Sequence, residues 1–391
     1  MNANHHDKVE QFYSIQETIY RILGAFKLTN NNSKTKQMAH KIHRMLCFLW
    51  VAAYTLSLLI SFIILPSILD KIMKVFYMLG TMIGAMAKLA YVKKYANLYR
   101  ELAKILHKNI FNPLDKTEND IFLKHFEMSK FIRNWYGYVS FISLIYSFVL
   151  QQVLNSHELP AEMYTPFNMD ISTNLMMAKI YSFIAVGCLC FLNCIAFDSW
   201  CTGFLIFTQA QLEILEYRLE RIGKYSTSDF EINIELKSCI RLHAEVYEVI
   251  GKLEKAIAFP VSLQIFCSML VLCCNFYAIS FTSIGDSPIA FLKFSTGNIY
   301  QIAMLSQIFL ICYFANEVTL VSNKLSHALY SSNWIEWNKI NRKLVLLTML
   351  RFRNPIKVRS LNRCYHFDLE AFTSIVNTSY SYFALLKQMN N

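Results

Sequence analysis

Glycine and proline are scarce, 10 and 7 in 391 residues. Transporters built from paired repeats interrupt matching helices in their two halves with these residues, and no such pairing occurs here, which argues against that class. Acidic residues are also few, 27 against 38 lysines and arginines, for a net charge of +11. The basic residues are spread over several loops without a compact motif, so anionic inner-leaflet lipid is the expected counterpart and nucleic acid is not. His243 and His327 are expected on cytoplasmic helices, far from any Cys or acid pair with metal spacing. No metal, no cofactor and no enzymatic activity are expected.

What the chain has in abundance is apolar length. Hydrophobic residues make up 54% of it and mean hydropathy is +0.30, too much for an ordinary soluble domain. Runs of the roughly 20 residues that cross a hydrocarbon core of about 30 Å fall at 45–65, 75–92, 135–154, 180–207, 259–281, 295–315 and 369–388. The chain reads as a single all-α domain over 1–391, a seven-span helical membrane protein. The first run starts too late and is too long for a cleavable signal, so it is expected to direct its own insertion.

Lysine and arginine orient the spans. Thirty-two of the 38 lie before the first span, between spans two and three, four and five, and six and seven. By the positive-inside rule the amino terminus is cytoplasmic and the carboxyl terminus external, with 1–44 as a cytoplasmic N-terminal region. A heptahelical G-protein-coupled receptor requires the reverse, together with an acidic-Arg-Tyr turn after span three and usually an external disulfide. None of the eleven cysteines falls in an external loop, and Cys188, Cys190, Cys273 and Cys274 read as packing residues. The Asn31-Asn32-Ser33 sequon lies on the cytoplasmic side and Asn377-Thr378-Ser379 lies inside a span, so neither is expected to be glycosylated.

Residues 9–26 place Phe12, Ile15, Ile19, Ile22 and Phe26 at helical spacing. Such a helix either lies on the membrane surface or packs on the protein's own inner loops. The external stretch 155–178 holds Glu158, Glu162 and Asp170 but no Lys or Arg, and reads as a lid over a cavity or as a plain connector. Helical stripes continue past the spans over 209–222, 236–259, 316–330 and 340–352, the last with Leu344, Leu346, Leu347 and Leu350. These stripes need a burial site outside the bilayer, and a cytoplasmic bundle, shared between subunits or not, supplies one. Lys88 and Asp198 are ionisable residues within spans. They have no evident companions and lie toward inner ends, where water is near.

Span seven is the least apolar. Thr373, Asn377, Ser381, Leu385 and Gln388 follow one another at steps of three and four. Copies of this helix around an axis make a wet conduit with an apolar constriction at Leu385, which can close by dewetting. A helix–helix contact built from small and hydroxyl residues fits the same stripe. Lys387 stands about 200° round the helix from Leu385 and is expected to snorkel outward.

The chain resembles the insect odorant receptors. The resemblance rests on Cys239-Ile240-Arg241-Leu242-His243, Cys312-Tyr313, Ala315-Asn316-Glu317, Ser322 and Ala328-Leu329-Tyr330-Ser331-Ser332-Asn333-Trp334. It continues through Met349-Leu350-Arg351, Pro355, Phe372-Thr373-Ser374-Ile375-Val376 and Ser379-Tyr380-Ser381-Tyr382-Phe383. It implies an odorant-binding subunit of a ligand-gated non-selective cation channel, in the plasma membrane of olfactory sensory neurons. The partner is a co-receptor subunit, in a heteromer of tetrameric form, and the ligand is a small volatile hydrophobic molecule.

The resemblance also implies that 208–258 and 316–368 form cytoplasmic helical anchor segments, carrying His243, Asn316, Ser322, Tyr330, Trp334 and Met349. It makes 369–388 the pore-lining helix, with the gate at Leu385 beside Gln388. Its ligand pocket, in the outer half of spans two, three, four and six, corresponds by depth to Tyr77, Gly80, Thr81, Ser143, Tyr146, Ser147, Leu150, Tyr181, Ile184, Tyr300 and Met304. Each could equally be ordinary interhelical packing. Gustatory receptors are the nearer alternative, but their span seven ends on a motif whose final Phe is missing after Gln388, where Met389 stands.

Overall fold

The computed structural model of the chain describes residues 8–26, 34–64, 69–146, 159, 161–224, 228–281, 288–361 and 365–389. The expectations placed on Asn31-Asn32-Ser33, Ser147, Leu150, Glu158 and the side chain of Cys188 lie outside the described residues. Within them, regular structure is helical, apart from one isolated bridge between Arg359 and His366.

Among the described residues, seven long helices overlap the seven expected spans: α2 (Lys34–Ile64), α3 (Leu69–Lys94), α5 (Lys116–Leu144), α7 (Phe191–Arg221), α8 (Asp229–Phe281), α9 (Pro288–Tyr330) and α11 (Leu369–Met389); the outer part of span three, 147–154, lies outside the described residues. Three shorter helices, α1 (Ser14–Ile22), α4 (Ala96–Ile105) and α10 (Lys339–Phe352), sit at the lysine-rich end of the bundle. A further helix, α6 (Ser172–Ser182), runs through a π-helical segment, Phe183–Cys190, into α7. Among the described residues, five helices are long and apolar enough to cross a membrane, and α5 and α11 are not among them.

The helices outrun the bilayer. α8 has 53 residues and α9 has 43, which at 1.5 Å per residue come to about 80 and 65 Å, more than twice the hydrocarbon thickness. The surplus gathers at the basic end. There, Asp115 caps α5 by accepting from the Glu118 amide at 2.8 Å. Arg218, in the last turn of α7, donates to both Glu118 oxygens at 2.8 Å, and Arg221 reaches Asp115 at 2.9 Å. The amino end of one span is thus tied to the tail of another, and the same carboxylates serve both jobs. On α10, Asn338 caps the helix and Asn341 donates to the Asp229 carbonyl at 2.9 Å, fixing α10 on the start of α8.

The N-terminal segment packs on the chain itself. Val9, Phe12, Leu23 and Phe26 are buried, and the Phe12 ring lies 5.4–6.0 Å from those of Phe122, Phe126 and Phe207. Of the two readings left open by its periodicity, packing holds for this face, while Ile15 and Ile22 stay exposed. α1 ends at Gly24, whose φ of 71° suits glycine. A β-carbon there would come within 2.7 Å of the Arg44 backbone. Arg44, His43 and His40 of α2 bond the carbonyls of Gly24, Ile22 and Phe26, so donors from the next helix satisfy the free carbonyl end of this one.

At the opposite end a second apolar cluster joins α2, α3 and the π segment through Val51, Tyr54, Leu58, Met78, Met82 and Ala185. Part of the stretch 155–178 tucks under it. Ala161 and Met163 are buried, the Tyr164 amide donates to the Ser57 carbonyl at 3.2 Å, and Ser61 donates to the Glu162 carbonyl at 2.6 Å.

Candidate functional site

α11 has two faces. Phe372 packs on Phe309, Phe383 packs on Phe276, and buried Ser379 donates to the Met269 carbonyl at 3.3 Å, so this side is held by α8 and α9. The other side faces away from the chain. Glu370, Thr373, Ser374, Asn377, Thr378, Ser381 and Tyr382 line a shallow groove of about 560 Å³ along it. Leu385 follows at the far end, 55% exposed. Three of the stripe residues expected from the sequence, Thr373, Asn377 and Ser381, share the groove; Leu385 and Gln388 continue it as exposed positions. Among the described residues, the side chains that pack on α11 lie on its opposite side.

The positions placed in the outer half of the bundle fall into separate groups. Tyr77, Thr81 and Tyr300 meet: the Tyr77 and Tyr300 rings are edge-on at 5.5 Å, and the Thr81 and Tyr300 hydroxyls share a short hydrogen bond. Met304 lies one turn further along α9 and is buried. Tyr181 stands instead against Trp50 and Tyr54, at 5.3 and 5.6 Å. Ile184 lies in the π segment, where the wider turn changes the facing of side chains. Gly80 is a helix contact, since a β-carbon would sit 2.8 Å from Val271 Cγ2. Ser143 is buried on α5, and Tyr146 lies just past that helix's end.

One level below the tyrosine pair lies an arrangement the sequence reading missed. Lys88 and Asp198 are not near water. They are 1% and 0% exposed and form an ion pair, with Lys88 Nζ at 2.8 and 3.0 Å from the two carboxylate oxygens. Tyr136 donates to Asp198 Oδ2 at 3.0 Å, and the Gln307 amide donates to the same oxygen. The ammonium also lies over the Phe197 ring, 5.2 Å from its centre. The expectation of two solvated, uncompanioned charges is corrected by this knot, which joins α3, α5, α7 and α9. Opposite charges on two spans were the available signal, because an ion in hydrocarbon needs a partner. Nothing in the sequence marked Tyr136 or Gln307.

At the basic end, His243 lies against Phe352 of α10, ring centres 4.7 Å apart. Burial, with the Arg351 charge nearby, lowers its imidazole to about 4. Burial pushes the Cys239 thiol up to about 12, which fits a packing residue. Ser322 accepts from the Ile356 amide at 2.9 Å, so α9 holds the chain beyond α10. Met349 and Trp334 pack on the core, and Tyr330 is exposed. Ile340, Leu346, Leu347 and Leu350 of α10 are left uncovered.

An all-α bundle whose described residues include five helices long and apolar enough to cross a membrane, an uncovered polar helix and a basic end of extended helices has the make-up of a polytopic membrane protein. The 7tm Odorant receptor family model matches residues 68–380. Odorant receptor 46a, isoform A, of Drosophila melanogaster is 35% identical over 385 residues, 98% of this chain and 99% of that one. Isoform B is 34% identical over 390 residues, again 98% and 99%. The chain belongs to the odorant receptor family. Among solved structures, the insect olfactory receptor OR5 from Machilis hrabei superposes with a TM-score of 0.86 at 17% identity, covering 98% of this chain and 99% of that one. Its complex with eugenol gives the same TM-score at 18% identity. The family is one of receptors rather than enzymes.

Proposed function

We propose that this chain is the odorant-binding subunit of a ligand-gated, non-selective cation channel, working with a co-receptor subunit in a tetramer in the plasma membrane of olfactory sensory neurons. The observation that carries the reading is the bare polar face of α11. The Thr373 and Ser381 hydroxyls donate to the carbonyls of Glu370 and Asn377, but a membrane helix does not leave the exposed Asn377 amide against lipid, because unmet polar groups in hydrocarbon are costly. Water along a shared axis satisfies that amide. Leu385 is then the apolar constriction that closes the conduit by dewetting, with Gln388 beside it.

The same reading accounts for the basic end. Segments 208–258 and 316–368 serve as cytoplasmic anchors, and 369–388 lines the pore. Ile340, Leu346, Leu347 and Leu350, exposed in the single chain, are the surface that meets neighbouring subunits. His243, Asn316, Ser322, Tyr330, Trp334 and Met349 hold that region's shape. The amino terminus is cytoplasmic and the carboxyl terminus external.

The ligand site lies around Tyr77, Thr81, Tyr300 and Met304, where aromatic walls and two hydroxyls suit a small, mostly apolar molecule with one polar group. The other outer-half positions, including Ser143, Tyr146, Tyr181 and Ile184, complete it or pack behind it. The packed stretch around Ala161 and Met163 covers this end as a lid. A eugenol complex of a receptor of the same fold supports an odorant as the ligand.

The test is whole-cell recording of the chain with and without the co-receptor under an odorant panel that includes eugenol, alongside an epitope tag fused after Asn391. Odorant-evoked current only in the pair, with the tag accessible on intact cells, is expected. A tag reachable only after permeabilisation overturns the topology and the pore assignment together.

A further inference from the structure

Two rungs connect α3 and α9. The upper joins Thr81 to Tyr300; the lower joins Lys88, through Asp198, to Gln307. Each rung lies seven residues from the other on both helices, which is two helical turns, the same face, and about 10 Å of rise. The upper rung belongs to the proposed ligand site. The lower one is closed to solvent.

The two rungs are unequal in strength. The upper is a single hydroxyl pair between half-buried residues, which a ligand hydroxyl or carbonyl can replace. The lower is charge-assisted: Asp198 accepts from an ammonium, a phenol and an amide in a dry interior, where such bonds are strongest. Two residues beyond Gln307, and about 200° round the helix, Phe309 packs on Phe372 of α11 at 5.4 Å. One face of α9 is therefore pinned to α7, while the opposite face at nearly the same height bears on the pore helix.

We propose that Asp198 and Gln307 are positioning residues for gating, forming the pivot about which α9 tilts when a ligand parts Tyr300 from Thr81. A helix held at Gln307 converts displacement at Tyr300 into movement at Phe309, and so at Phe372. A helix free at Gln307 shifts sideways, and the displacement is lost before it reaches α11. Tyr136 also donates to Asp198, but from α5, so it helps satisfy the carboxylate without holding α9. This inference rests on the channel reading above.

The test compares Gln307→Met with Tyr136→Phe, each expressed with the co-receptor and challenged with an odorant that activates the parent chain. Each variant removes one neutral donor from Asp198 and leaves the ion pair in place. For Gln307→Met, maximal current per surface channel is expected to fall by about fivefold or more, the scale of typical coupling energies. The half-maximal odorant concentration should move far less, and surface level should stay normal. Tyr136→Phe should keep the parent's maximal current. The inference is overturned by a parental response in Gln307→Met, by equal losses in both variants, or by Gln307→Met failing to reach the surface, since the last two make the bond structural only. A parent chain silent to the whole panel at normal surface level sinks the channel reading itself.

Discussion

Replacing Lys88 by methionine keeps most of the side chain's length and removes only its charge and donors. Asp198 would then hold a negative charge at 0% exposure with only the Tyr136 phenol and the Gln307 amide to compensate it. Stripping one partner from a buried ion pair costs about 3–5 kcal/mol. Against the 5–15 kcal/mol by which folded domains generally exceed their unfolded states, that is a large share. Adding Asp198→Asn removes the orphaned charge while its side-chain oxygen still accepts from Tyr136 and Gln307. The double variant should regain most of the loss, because a buried pair gains little over neutral groups of the same shape. The assay is the fraction of detergent-solubilised protein that stays monodisperse on gel filtration after heating. Lys88→Met should lose the monodisperse peak at clearly lower temperature than both the parent and Lys88→Met/Asp198→Asn. Raising salt should not change that order, since screening does not reach a buried pair. Equal melting of parent and Lys88→Met, or a double variant no more stable than the single one, refutes the reasoning.

Other outcomes follow from the same geometry. Leu385→Ala should raise unliganded conductance; a baseline unchanged at normal surface expression counts against the gate. His243 is held at about 4 in the folded chain against about 6.5 when free, so protons bind the unfolded state first as pH falls. The His243 contribution should be nearly constant above pH 7 and amount to a loss of about 2 kcal/mol by pH 5, so His243→Gln should make the slope shallower; a pH scan with identical slopes in both proteins argues against it. Gly80→Ala puts a β-carbon 2.8 Å from Val271 Cγ2, and overpacking of this kind costs about 1–3 kcal/mol. Surface level should fall and recover when Val271→Ala is added, whereas a changed odorant profile at normal surface level would mark Gly80 as lining the ligand site.

Hydropathy, charge distribution and 3.6-residue periodicity were enough to place the seven spans, the polar stripe of the last one and the helical continuations past the bilayer. Each is a local property: an apolar run must be hidden, a helix repeats its faces, and arginine stays on the side where it was made. The stripe of Thr373, Asn377 and Ser381 was legible for that reason, and the fold leaves it uncovered. Exact helix ends were less so: the stripe read over 236–259 continues span five back toward its true start, yet α8 begins earlier, at Asp229, because helix ends carry weaker signals than apolar faces.

The tertiary structure alone decided which residues meet. Two readings of the N-terminal segment were equally consistent with its periodicity, and contact between Phe12 and three rings of α5 and α7 or their flanks chose between them. Lys88 and Asp198 are 110 positions apart, and nothing in either neighbourhood reveals that their helices are adjacent and rotated so that the two side chains converge. The same holds for Gly80 against Val271. Sequence shows how polar a residue is and which face of its helix it occupies; helix order and rotation determine what that face touches, and so turn two lone charges into a buried knot between the proposed ligand site and the pore helix.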